Sequence, residues 1–536
     1  MTPVASLLRA LLLAALGLSA ALVSASPAVS ETQVSAAVDA LYGAPVPLRL
    51  WTDANGLTPA GRAAVAELSA APLRGLRADD YDASTLGQRA DALRGAGAGV
   101  IAAFERDLSR ALARYVAHLQ RGRVRPQDAG YPLPLPREVP DLAAALRAYA
   151  SSASPSTVLD GYEPRYRHYA LLKSALARYR SLEAVTPRIG LTALPRKRVK
   201  PGEGYVDAAK LRQLLLRLGD LDAGQSQAEN AAVFDAALSA GVTHFQQRHG
   251  LMSDGVLGES TLRALNLPLA SRVHQIELAM ERARWLPPPP GGPFILVNIP
   301  QFRLFAFRGP EDREQAMTAM NVIVGRSFPQ THTPVFAADL RYVVFRPYWD
   351  VPSSILHKEV LPQLRRDAAV ADKEGYELVR GQGDASPVVP LTPASLDALE
   401  RGELRLRQRA GAKNALGAVK FMLPNAYNVY LHSTPSQRLF GQSLRAFSHG
   451  CIRVEDPLAL AQFVFADDPS WTKARIVEAL QDEAPMQRIT LKQPIPVVVF
   501  YATAIAAEDG RMLFFEDLYH HDRRLDALLA AARPAP

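Results

Sequence analysis

The chain has 536 residues, of which 48% are hydrophobic and 21% charged, a composition that excludes a disordered or membrane-embedded protein and gives length for roughly three domains. A net charge of +8 favours an anionic partner, yet apart from Arg196-Lys197-Arg198 the basic residues are scattered, so charge alone specifies little. Cysteine occurs once, at Cys451, which excludes an internal disulfide.

Residues 1–25 carry Arg9, an apolar run from Ala10 to Val23 and then small residues, the layout of a signal peptide with cleavage after Ala25. The alternative is an uncleaved leader that anchors the chain in the inner membrane. Either way the remainder is expected in the periplasm, where nucleic acid is not a partner and a cysteine used for structure would normally come as one of a pair.

Residues 30–185 read as an α-helical scaffold domain. Phe104, Leu108, Leu112, Tyr115 and Leu119 recur at helical spacing before Gly122, and Tyr169, Leu172, Leu176 and Tyr179 repeat the pattern. Both stripes are expected to face a core. Thr186 to Gly204, with three prolines and the basic triplet, reads as a linker.

Residues 205–284 begin with Leu211, Leu214, Leu215 and Leu218 on a helix and continue with Phe245-Gln246, His249-Gly250-Leu251, Asp254-Gly255-Val256-Leu257-Gly258 and Thr261 to Asn266. This order resembles the small three-helix peptidoglycan-binding module, and a helical spacer without ligand is the alternative. Its turn glycines suit backbone at positive φ.

Past the proline run at Pro287–Pro290, short β-rich stretches follow: Phe294 to Ile299, Arg303 to Phe307, Asn321 to Gly325 and Arg341 to Phe345. Residues 293–520 are therefore expected to form a mostly β domain, interrupted over about 357–415 by a helical insertion that could act as a lid. The fold class is thus multi-domain α+β.

The chemistry concentrates in Tyr430-Leu431-His432-Ser433-Thr434-Pro435 and Ser448-His449-Gly450-Cys451-Ile452-Arg453. A thiol nucleophile needs a base, and a strand-terminal imidazole reaching back to Cys451 supplies one. The Ser433 carbonyl can fix the second imidazole nitrogen, and amides around Gly450 and Cys451 can form an oxyanion hole.

These blocks, with Thr333-Pro334, Pro347-Tyr348-Trp349-Asp350-Val351-Pro352, Asn414-Ala415-Leu416-Gly417 and Lys420-Phe421, resemble the large multi-domain periplasmic L,D-transpeptidases. The resemblance implies Cys451 as nucleophile and His432 as base, oriented by Ser433, with His449 and Gly450 shaping the oxyanion site. Arg453, Thr434, Asn414 and Trp349 are expected to contact substrate. It further implies peptidoglycan stem peptides as partners, no cofactor and no metal, carbapenems as probes, and 3-to-3 cross-linking through a thioester with release of D-alanine. Hydrolysis of the thioester would make the same site an L,D-carboxypeptidase, and a non-catalytic wall-binding scaffold is the remaining alternative.

Other readings fare worse on the residues. No His-Glu-x-x-His occurs, and the adjacent His520-His521 are expected to be solvated on a polar tail. Ser470-x-x-Lys473 lacks the Lys-Thr-Gly companion of serine penicillin-binding enzymes. Oligomeric state is not legible.

Overall fold

The computed structural model describes residues 28–532 except 44–47, 134–137, 186–189, 226–229, 289, 310–316 and 328–330; the expected leader over 1–25 lies outside the described residues. No helix among the described residues is long and apolar enough to cross a membrane.

In the N-terminal region, α1 (Glu31–Tyr42) starts on a capping box in which Ser30 and Gln33 satisfy each other's amides. It packs on α2 (Ala98–Arg121), whose Phe104, Leu108, Leu112, Tyr115 and Leu119 are fully buried. Inside this core Glu105 accepts from the amides of Leu50, Trp51 and Thr52 and from the hydroxyls of Thr52 and Tyr42. A buried carboxylate is tolerated there because donors surround it.

The next helix, α3 (Arg167–Val185), does not join that core. After it come α4 (Ala208–Leu218), α5 (Ala236–Arg248) and α6 (Glu259–Leu265), packed around Leu211, Leu215, Phe234, Leu238, Val242 and Phe245. Gln246 organises the turn that follows: its amide nitrogen donates to Asp254, Val256 and Thr261 while its oxygen accepts from the Gly255 amide at 2.9 Å. Gly255 has φ +67° and a Cβ there would lie 2.6 Å from Ser239 Oγ, so glycine is required twice over.

Two corrections to the expected organisation follow. Leu191 and Val199 belong to this module's core, and Arg198–Val199 pairs with Leu257–Gly258, so the described part of the expected 186–204 linker is a wall of the module. Its C-terminal neighbour α7 (Leu269–Ala283), expected within 205–284, instead packs on α3 in a separate cluster with Met512 and Phe514 of the C-terminal region.

The β domain holds β1 (Phe294–Asn298), β2 (Arg303–Phe307), β3 (Thr318–Gly325), β4 (Phe336–Phe345), β5 (Trp349–Asp350), β6 (Tyr376–Val379), β7 (Val388–Val389), β8 (Arg405–Gln408), β9 (Val419–Met422), β10 (Leu431–His432), β11 (Ala446–Ser448), β12 (Ile452–Val454) and β13 (Gln487–Phe500). Nine of these form one sheet in the order β11-β3-β12-β10-β9-β4-β13-β1-β2, which closes through a β2–β3 pairing around Val297, Leu304, Val322, Val343, Phe421, Leu431 and Val499. Closure leaves few free edges.

The other four strands, β7-β6-β8-β5, form a second sheet that packs with short helices around Leu356, Leu364, Leu378, Leu399 and Leu406. The insertion is thus a folded α/β unit with its own core, not the helical stretch expected. The chain ends with the hairpin β14 (Ala504–Ala506) and β15 (Met512–Phe514), then α8 (His521–Ala531).

Candidate active site

Strand pairing assembles the site. β10 lies between β9 and β12, with His432 opposite Lys420 on one side and opposite Arg453 on the other. The Ile452 amide bonds to the Tyr430 carbonyl, which brings Cys451 alongside Tyr430. Because side chains alternate along a strand, Lys420, Tyr430, His432, Cys451 and Arg453 share one face of the sheet. The Lys420 ammonium sits 4.1 Å from the centre of the Tyr430 ring.

His432 is 4% exposed. Its Nδ1 lies 2.6 Å from the Ser433 carbonyl, an acceptor only, so Nδ1 carries the proton and Nε2 is left with a lone pair. Burial, reinforced by Arg453 and Lys420, lowers its pKa to about 3. Ser433 is fixed in turn, its hydroxyl donating to the Leu416 carbonyl and accepting from the Ala418 amide.

Cys451 is half-buried at the end of the tight turn that joins β11 to β12. Burial pushes its thiol pKa up, opposed by the amide and hydroxyl of Tyr430 and by the charges of Lys420 and Arg453. Among the described residues the thiol hydrogen-bonds the Asn428 carbonyl at 3.7 Å and not the imidazole. Asn428 itself has φ +54°, a conformation asparagine tolerates better than most residues.

The turn is internally bonded. Ser448 Oγ accepts from the Gly450 amide at 3.0 Å and donates to the Cys451 carbonyl at 2.6 Å. The Gly450 amide, expected in an oxyanion hole, is therefore already engaged. Gly450 has φ +119°, open essentially to glycine alone. His449 points outward, its Nε2 2.8 Å from Glu359 in the insertion.

Two expected substrate contacts are corrected. Asn414 is fully buried; its amide nitrogen donates to the carbonyls of Pro347, Gln408 and Arg409 and its oxygen accepts from Leu416, so it holds the base of the insertion and has nothing free for a ligand. Thr434 is buried as well, with its hydroxyl accepting from the Ser436 amide in the turn after His432. Trp349 is half-buried on β5 against the insertion core. Among the described residues, the buried Nε of Arg453, beside Cys451, has no hydrogen-bond partner.

Lys420 and Tyr430 lie in the motifs read from the sequence but were given no role at the site there. Tyr430 could have been, since it lies two positions before His432 on a strand and so shares its face. Lys420 depends on a pairing that no local signal carries. The expected solvated histidine pair is half wrong: His520 is exposed, but the His521 ring lies tilted against Tyr501, 4.4 Å between ring centres, and its Nδ1 lies 2.9 Å from the Tyr131 hydroxyl.

Comparison with known proteins agrees with this layout. Residues 292–473 match the family described as "L,D-transpeptidase catalytic domain", residues 206–265 the "Putative peptidoglycan binding domain" and residues 36–176 the "Scaffold domain". A curated relative from Haemophilus influenzae, named "Putative L,D-transpeptidase", is 31% identical over 232 residues, covering 43% of this chain and 45% of that protein. This chain thus spans less than half the length of that relative. A crystal structure of a fused Zn-dependent amidase/peptidase/peptidoglycan-binding domain-containing protein from Clostridium acetobutylicum is 14% identical across 57% of this chain and 99% of that one, with a TM-score of 0.15, too low to carry any argument. The β domain at residues 292–473 belongs to the L,D-transpeptidase catalytic domain family, and the chain is a multi-domain one that joins it to a peptidoglycan-binding domain and a scaffold domain.

Proposed function

We propose that the chain is a periplasmic L,D-transpeptidase that forms 3-to-3 cross-links between peptidoglycan stems. The carrying observation is that the only cysteine shares a sheet face with a buried, tautomer-fixed histidine and two cations. Cys451 turns from Asn428 toward His432, whose Nε2 takes the thiol proton as sulfur attacks the carbonyl of the third stem residue. The Cys451 amide holds the oxyanion, and the thiolate and oxyanion charges are balanced by Lys420 and Arg453. Collapse breaks the peptide bond, His432 returns the proton to the departing D-alanine amine, and a thioester remains. The side-chain amine of a neighbouring stem then attacks that thioester, giving the cross-link and regenerating the thiol.

The same reading makes the unit at about 357–415 a lid. Support comes from Glu359, which reaches from it to His449 in the catalytic turn, and from Asp350 on β5, whose charge acts on both Lys420 and Tyr430. Carbapenems would acylate Cys451 at the position of the stem carbonyl.

The test is mass spectrometry of purified disaccharide-tetrapeptide incubated with wild type and with Cys451→Ala. Dimers lacking one D-alanine, formed by wild type alone, are expected. Trimmed tripeptide without dimers would replace the reading by a carboxypeptidase, and an unchanged substrate with folded protein by a wall-binding scaffold.

A further inference from the structure

The peptide unit between Gly450 and Cys451 is planar and trans, so its carbonyl and its N–H project from opposite edges and fixing one fixes the other. Something has to fix it, because Gly450 at φ +119° lacks the side chain that would restrict rotation of this unit. The Gly450 amide is consumed by Ser448, which leaves the Cys451 amide as the donor at the turn that can meet an oxyanion.

The tether is Thr333, fully buried between β3 and β4. Its Oγ1 accepts from the Gly325 amide at 2.8 Å and lies 2.8 Å from the Gly450 carbonyl. With an N–H on one side, the single hydroxyl proton has to go to the carbonyl, so the polarity is unambiguous. Thr333 is aligned in turn by Tyr519, whose hydroxyl donates to the Gly325 carbonyl at 2.6 Å and accepts from the Thr333 amide at 3.3 Å. The His332 ring stacks on Tyr519 at 3.9 Å. Tyr519 lies in the C-terminal segment, beyond the residues that match the catalytic domain family.

We infer that Thr333 is a positioning residue for acyl transfer: by holding the Gly450 carbonyl it turns the Cys451 N–H toward the reacting carbonyl. A hydrogen bond received at the oxygen of a peptide also polarises its N–H and strengthens it as a donor. The inference rests on the reading of Cys451 as an acyl acceptor, but not on the identity of the acyl donor.

Two rates at Cys451 in the full chain test it. One is acylation by a p-nitrophenyl ester, in which sulfur bonds to the carbonyl and nitrophenolate departs through an oxyanion. The other is alkylation by iodoacetamide, which passes through none. Losing an oxyanion donor costs about 100-fold or more, so Thr333→Val, which misaligns the donor without deleting it, is expected to slow acylation by roughly 10- to 100-fold. Alkylation should stay within about twofold of wild type, and Thr333→Ser should restore most of the acylation rate. Tyr519→Phe gives the same comparison if Thr333→Val does not fold. Equal slowing of both rates, or acylation unchanged, would overturn the inference. Wild type that takes the ester yet leaves stem peptides untouched would instead remove the transpeptidase reading and leave Thr333 in its role.

Discussion

At the scale of single residues, the site pairs a neutral imidazole with a neutral thiol. Burial, with the charges of Arg453 and Lys420 added to it, holds the pKa of His432 at about 3, while burial raises that of Cys451. A resting imidazolium–thiolate pair is thus disfavoured, and proton transfer belongs to the attack itself. The linkage has a definite sign. An unfolded histidine titrates near 6.5, so between about 6.5 and 3 the unfolded chain binds a proton that the folded chain refuses. Stability contributed by the neutral ring is complete above that window and is lost as pH falls through it, by up to roughly 1.4 kcal/mol per pH unit. Urea unfolding at pH 7 and pH 5 should show wild type losing more stability than His432→Gln over that interval. Equal losses would mean that the imidazole is not held neutral by the fold.

At the scale of elements, legibility followed periodicity. The α2 stripe was readable because one amphipathic helix buries one face, and the motif around Cys451 because its residue types are chemically specific. The insertion's sheet was not, since β8 reads Arg-Leu-Arg-Gln and Arg407 is buried by stacking on Tyr348 at 4.0 Å and pairing with Glu377. No hydrophobic alternation announces such a strand. Asn414 misled for a related reason: an exposed and a saturated asparagine look alike in sequence. The contact of Thr333 and Tyr519 with the catalytic turn was hidden because topology sets it, although Thr333-Pro334 itself stood out as a motif. β13 shows how far the domain outruns its recognisable part. It lies between β4 and β1, buries Ile495, Val497 and Val499 in the main core, and begins after the matched residues end. A chain stopped at residue 473 should therefore lose the β domain's share of the cooperative thermal unfolding followed by circular dichroism and keep that of the helical scaffold, and a retained β-domain transition would mean that the sheet closes without β13.

At the scale of the whole molecule, one short stretch at the C-terminal end of α7 and just past it ties the domains together. Glu281, fully buried, accepts from the Arg123 amide at 2.5 Å just past α2 and from Arg284 at 3.1 Å. Arg282 pairs with Asp522 of α8, and Arg284 donates to the Arg74 carbonyl at 2.6 Å and to the Tyr169 hydroxyl at 2.9 Å. Scaffold, α3 and the C-terminal helix thus meet on charges that have little water to fall back on. Removing one partner of such a buried set costs about 3–5 kcal/mol, because the guanidinium left behind stays desolvated. Trp285 reports on this junction directly, since it is buried there with its Nε1 donating to the Val124 carbonyl at 3.1 Å. In Glu281→Ala the scaffold, which has its own core, is expected to separate before the β domain unfolds. Tryptophan fluorescence should then show an early red shift at low denaturant, while alkylation of Cys451 keeps its native rate until a second transition. A single transition at the wild-type midpoint would show that α7 does not couple the domains, and that the scaffold is held by its apolar contacts alone.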